Sequence, residues 1–182
     1  MPIALVRHFN RNISELAASL IVNRYSLSSD IVRTFQDKDL KKILEINYTA
    51  FGDSAASQII RYSKKFKNVL YVYEKDGEIV GYVGFYVRLK WKKFKLIQAA
   101  TGYLGAVDKH ARGKGIFTQM YSESLSELKR NGVKVAYGFI DVNNESSLAI
   151  HKKLGFIIID ELPDMSGGKR SYKVELLFDT HK

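Results

Sequence analysis

The chain has 182 residues, 46% of them hydrophobic, no cysteine, and a formal net charge of +10 at pH 7. That length and apolar content suit one domain with a full core and exclude a disordered chain. The absence of cysteine excludes disulfides, thiolate metal sites and a cysteine nucleophile, and His8, His110, His151 and His181 never fall at metal-ligand spacing, so no metal site is expected.

In chain order, residues 10–25 have helical spacing, with Ile13, Leu16, Ala17, Leu20, Ile21 and Arg24 on one face. Arg7 and Arg11 before "LAASLIV" imitate a short signal peptide. Asn23 and Arg24 end it without a small-residue cleavage site, so the expected location is cytoplasmic. "SLSSD", 26–30, reads as a linker. The expected organisation is an N-terminal helical extension over 1–30 and a folded domain over 31–182.

"IVRTF", 31–35, reads as a short strand. A helix over 37–51 starts at a capping Asp37 and carries Leu40, Ile43, Leu44 and Ile46 on its inner face. A second helix, 55–66, takes Asp53 or Ser54 as its cap. Strands over 69–75 and 78–90 flank Asp76-Gly77, a two-residue hairpin signal because both turn positions need positive φ. The segment 93–107 is a long strand with weak alternation, as expected for burial on both faces. Gly102 and Gly105 within it mark a bulge or a close approach to the backbone.

A helix over 115–130 carries Phe117, Met120, Tyr121, Leu125 and Leu128 on one side and ends at Asn131-Gly132. Then come a strand over 133–140, a helix over 144–154 ended by Gly155, and strands over 156–159 and 172–178. Hairpins followed by strand–helix–strand alternation give an α/β fold with a mixed sheet of about seven strands flanked by helices.

The positive charge favours a polyanionic partner: nucleic acid, an anionic membrane or a phosphorylated cofactor. No apolar run is long enough to span a membrane. "KKFK", 64–67, and "KWKKFK", 90–95, interleave lysines with aromatics, a pattern of single-stranded nucleic-acid or membrane surfaces. Trp91 is read as a partly covered loop residue, and nucleic acid is not the expected partner.

The densest basic stretch is "VDKHARGKGIF", 107–117, between a strand and a helix. Free N–H groups and the aligned peptide dipoles at a helix N-terminus favour an anion, and glycines let a phosphate approach the backbone. The stretch matches neither a Walker loop nor G-x-G-x-x-G. Taken alone, it reads equally well as a solvated basic turn.

Downstream, "NESSLAIHKKLGF", 144–156, follows the next strand. Together the two stretches resemble the GNAT superfamily of acyl-CoA-dependent N-acyltransferases. Its motif V-x-P-x-x-[QR]-x-x-G-x-[GA] is met by Val107, Lys109 in the proline position, Arg112, Gly115, and Phe117 in the last position. Its motif N-x-x-[AS]-x-x-L-Y-x-K-x-G-F is met by Asn144, Ser147, Ile150, His151, Lys153, Gly155 and Phe156. The resemblance covers residues 31–179 and implies a splayed central sheet.

It also implies that the pyrophosphate of acetyl-CoA, as cosubstrate, lies on the amides of Arg112, Gly113, Lys114, Gly115, Ile116 and Phe117. The pantetheine arm would pair along Leu104, Gly105, Ala106 and Val107. Asn144 would contact the arm or cap its helix. Phe117 departs from the small residue of the motif. His151 departs further, because the family's tyrosine there protonates the leaving thiolate. A histidine titrating near 6.5 can donate a proton or be inert. Tyr82, Tyr86, Tyr103 and Tyr137 are candidate substitutes, with Tyr103 placed in the catalytic set beside His151. The fourth strand carries no glutamate, so Asp141 is the candidate base or amine anchor, its other reading being a turn cap with Asn143.

The implied activity is acetyl transfer from acetyl-CoA to a primary amine of a small molecule or peptide by direct attack. Two alternatives stay open. One is a longer acyl-CoA or carrier-protein donor, with Ala99, Ala100, Gly102 and Gly105 leaving room for the chain. The other is a non-catalytic module binding CoA or an acidic partner. A homodimer is a further possibility, through the N-terminal extension.

Overall fold

The computed structural model describes residues 17, 20–52, 56–92, 94–163 and 170–178. The strands are β1 (Val32–Thr34), β2 (Leu70–Lys75), β3 (Glu78–Lys92), β4 (Lys95–Val107), β5 (Val133–Asp141), β6 (Ile157–Leu162) and β7 (Ser171–Leu177), and the helices are α1 (Leu40–Phe51), α2 (Ala56–Phe66), α3 (Ile116–Arg130) and α4 (Glu145–Lys153). The strands form one seven-stranded sheet in the order β1-β2-β3-β4-β5-β7-β6. Its pairs are antiparallel except β4–β5.

Asp76 and Gly77 have φ of 53° and 80°, so the β2–β3 turn takes the conformation expected of that dipeptide. The β3–β4 hairpin is longer than expected, because pairing continues through Trp91↔Leu96 and Lys92↔Lys95. Trp91 therefore stands in a strand rather than a loop, and it is 76% exposed rather than partly covered.

The helices cover opposite faces of the sheet. On one face Tyr82 donates its hydroxyl to Asn47 Oδ1 of α1, and Tyr86 packs edge-on against Tyr62 and Phe66 of α2. On the other, Phe85 meets Tyr121 of α3 with ring centroids 5.1 Å apart. Adjacent β3 residues thus alternate faces, as a pleated strand requires. Met120, Tyr121 and Leu128 of α3 and Ile43 and Ile46 of α1 are buried, which is the periodicity read from the sequence.

Residues 26–30 are not a linker. Leu27 is buried, Leu27 N–H donates to Thr34 Oγ1 at 2.8 Å, and Thr34 N–H donates to the Leu27 carbonyl at 2.8 Å. Serine-rich composition suggested a spacer, yet hydroxyls also bond backbone groups and fix a turn. Val22 and Tyr25 join the same core, and Tyr25 donates its hydroxyl to Gln98 Oε1 at 2.6 Å. The described part of the N-terminal helix ends at Val22, and its earlier residues lie outside the described ones, as do the expected caps Asp53 and Ser54. Before α1 the carboxylate that accepts from the Gln36 N–H is Asp39, not Asp37, and Arg33 holds it with both terminal guanidinium nitrogens.

Candidate active site

β4 and β5 pair in parallel from Gln98↔Val133 to Thr101↔Tyr137, and there the pairing ends. Beyond it, the β4 edge from Gly102 to Val107 faces away from β3 with no strand against it among the described residues. Gly84 faces Leu104 while Phe85 faces Gly102, so Tyr103 is the extra residue of a bulge. Bulges break the ladder and re-aim backbone groups. The splay therefore presents free β4 amides and carbonyls to a cleft.

At the far end of that cleft the chain makes a short turn, with Asp108 Oδ1 accepting from the His110 N–H at 2.9 Å. Gly113 and Gly115 follow with φ of 77° and 75°, and both Cβ positions face open space. Gly115 is the N-cap of α3, and no side chain caps the helix among the described residues. The first-turn N–H groups and the helix dipole are thus open to a groove of about 520 Å³. Nine of the expected cofactor residues line it: Gly105, Ala106, Val107, Arg112, Gly113, Gly115, Ile116, Phe117 and Asn144. Lys114 borders a neighbouring depression with Lys42, Glu78 and Asp108. Leu104 borders an inner cavity of about 220 Å³ that shares Gly105, Phe117 and Ser147 with the groove.

Asn144 does cap α4, its Oδ1 accepting from Ser147 N–H at 3.0 Å, and it lines the groove as well. Two turns along the helix, His151 is buried and borders the inner cavity. Its Nδ1 lies 2.8 Å from the Ser147 carbonyl, which can only accept, so Nδ1 carries the hydrogen. The neutral ring then has its lone pair on Nε2, close to Gly138. Burial pushes the imidazole pKa below its ordinary value, against the opposing pull of the Ser147 carbonyl. A neutral, acceptor-only Nε2 is arranged to take a proton rather than give one.

Two aromatic rings of α3 fill the space over the β4 glycines. A Cβ on Gly105 would stand 2.9 Å from Phe117 Cε2, and one on Gly102 would stand 2.6 Å from the Tyr121 hydroxyl. Phe117 stacks on Tyr121 at 5.5 Å and Tyr121 meets His151 edge-on at 5.2 Å. The close approach to both glycines comes from α3. By its spacing alone Tyr121 is a core residue of an inner helix face.

Tyr103 borders the inner cavity, but its ring stacks on Tyr62 and meets Tyr86 on the α1/α2 face, and its hydroxyl donates to Gln58 Oε1 at 3.1 Å. It shares that cavity with His151, but its ring and hydroxyl are engaged by Tyr62, Tyr86 and Gln58 of the other face. Asp141 sits at the end of β5, accepts from the Asn143 N–H at 2.9 Å, and borders neither the groove nor the inner cavity. A carboxylate missed in the sequence is Glu175 of β7, paired in register with Tyr137 and 3.3 Å from Lys92 Nζ. Lys90 Nζ stands 4.1 Å over the Tyr137 ring. The β5–β7 register sets Glu175 beside Tyr137, and the lysines reach them from β3 across β4, a meeting that no local pattern specifies.

A profile of the acetyltransferase (GNAT) family matches residues 38–156. An L-methionine sulfoximine/L-methionine sulfone acetyltransferase of Pseudomonas paraeruginosa is 26% identical over 60% of this chain and 62% of its own length, so the chain spans less than two thirds of that relative. An N-alpha-acetyltransferase of Sulfurisphaera tokodaii is 28% identical over 69% of this chain and 78% of its own. The Salmonella typhimurium protein yncA, solved with its cofactor acetyl-CoA, superposes with a TM-score of 0.66 at 21% identity, covering 82% of this chain and 94% of its own. Among the described residues no helix is long and apolar enough to cross a membrane.

Proposed function

Because the chain belongs to the acetyltransferase (GNAT) family, we propose that it transfers an acetyl group from acetyl-CoA to a primary amine by direct attack. The observation that carries this reading is the continuity of the β4–β5 splay with the uncapped N-terminus of α3. The residues fit such a cosubstrate. Glycine amides and Arg112 meet a pyrophosphate, the bare β4 edge pairs with a pantetheine arm as with an added strand, and the bulged backbone offers N–H groups to a thioester oxygen. Acetyl-CoA supplies an activated acyl carbon, and the chain orients it.

An acetyl group suits the inner cavity better than a long acyl chain. The room beside Gly102 and Gly105 is taken by Tyr121 and Phe117, and Ala99 and Ala100 are fully buried.

On the α1/α2 face the acceptor meets Tyr86, Tyr103 and Tyr137, with Lys90 and Lys173 over the Tyr137 ring at 4.1 and 5.5 Å. Two cations suit an acceptor whose amine accompanies a carboxylate, as in a free amino acid or an acidic peptide N-terminus. The relatives acting on methionine derivatives and on N-termini support the same range. Glu175 is positioned to hold the ammonium, and His151 Nε2 is a proton acceptor beside the cleft. Calorimetric titration with acetyl-CoA, followed by thioester-cleavage assays on amino acids and acidic peptides, tests the proposal. Absence of acetyl-CoA affinity would overturn it.

A further inference from the structure

We propose that the hydroxyl of Tyr121, on α3, is the group that hands a proton to the sulfur when the thioester breaks. The inference rests on the acetyltransfer reading above and deepens it by naming the acid that the histidine at position 151 leaves unassigned.

Tyr121 is 2% exposed, and its hydroxyl is one of the buried polar atoms without a hydrogen-bond partner among the described residues. A buried, unpaired phenol costs free energy that a purely structural ring would avoid as phenylalanine. The hydroxyl lies where β4 and β5 part, in a space open only because residue 102 lacks a Cβ. The residue borders the inner cavity together with Gly138 and His151. His151 cannot serve as the donor in its neutral form, because its one N–H is held by the Ser147 carbonyl. Tyr121 therefore supplies a buried, unpaired donor at the splay.

Burial also pushes the phenol pKa well above its ordinary value, so the proton is in place throughout the neutral range. A strongly basic phenolate does not persist, and proton donation is coupled to proton recovery. The acceptor nitrogen lone pair forms the N–C bond, and the C–S bond breaks with its electron pair going to sulfur. Sulfur takes the Tyr121 proton, and the phenolate takes the proton that the acylated nitrogen releases. The net result is amide plus thiol, with no oxidant or reductant involved.

The test compares wild type with Tyr121→Phe, which keeps the ring against Phe85, Phe117 and His151. The expected result is a fall in kcat of about a hundred-fold or more with KM for acetyl-CoA unchanged. Independently of turnover, the pKa of the bound CoA thiol, read from thiolate ultraviolet absorbance, should rise by about one unit when the donor is lost. Wild-type kcat and an unshifted thiol pKa in the folded variant overturn the inference while leaving the acetyltransfer reading intact. A wild type that does not bind acetyl-CoA overturns both. If Tyr121→Phe fails to fold, Gly102→Ala displaces the hydroxyl instead and should lower kcat in the same way. Unchanged kcat there counts against the inference.

Discussion

The ring of Phe117 lies over Gly105, where a Cβ would come within 2.9 Å of Phe117 Cε2. The two residues compensate each other: the glycine that gives the strand no side chain admits the large residue that departs from the loop motif. Gly105→Ala should therefore cost about 1–3 kcal/mol by overpacking. Combining it with Phe117→Ala should recover part of that loss in a double-mutant cycle from urea unfolding. Strict additivity would show that the contact carries no energy.

Gly115 sits at φ of 75° at the mouth of α3. Gly115→Glu places a carboxylate among the N–H groups and should abolish acetyl-CoA binding in calorimetry. Gly115→Ala isolates the backbone strain, which should cost about 1 kcal/mol of stability. Equal cofactor affinity in a folded Gly115→Glu protein would remove the loop from the binding site.

The buried His151 has a lowered pKa, whereas the same ring in the unfolded chain titrates near 6.5. Below about 6.5 the unfolded state binds the extra proton, so stability should fall as pH drops from there toward the lowered folded value. Above that window the ring is neutral in both states and contributes no slope. Chemical denaturation across this range, wild type against His151→Gln, should show a flatter profile in the variant.

Lys90 has its pKa lowered to about 8, first by burial and then by Arg88 and Lys173. If its charge holds the acceptor carboxylate, KM for an amino acid should rise as pH passes 8. KM for the matching amine without a carboxylate should not rise with it. Lys90→Met should raise KM for the amino acid at pH 7 and remove the divergence. A constant KM ratio across pH would discard this anchor.

Tyr25 has its hydroxyl bonded to Gln98, and burial beside Glu127 pushes its pKa up to about 12. Deleting residues 1–30 removes it together with Val22 and Leu27. That deletion should lower the melting temperature by about five degrees or more, judged from roughly 2–4 degrees per kcal/mol for a chain of this length. A truncated domain as stable as the full chain would restore the view of this segment as a spacer.

Local patterns in the sequence determined a good deal. Periodicities of two and 3.6, the Asp76-Gly77 turn and the glycines at 113, 115, 132 and 155 mark the elements, because turns and caps depend on residues adjacent in the chain. The turn before α3 and the Asn144 cap were legible for the same reason, because a helix N-terminus is a local object. What the tertiary structure alone decided is how side chains from distant elements meet. Tyr121 reads as core from its spacing, and only packing against Gly102 shows its hydroxyl at the splay. Tyr103 and His151 look like neighbours in role, yet strand alternation puts the Tyr103 ring on the α1/α2 face beside Tyr62 and Tyr86. Glu175 reaches Tyr137 through strand register. Burial, tautomer and the partner left without a hydrogen bond are properties of the packed interior, and chain-local pattern does not encode them.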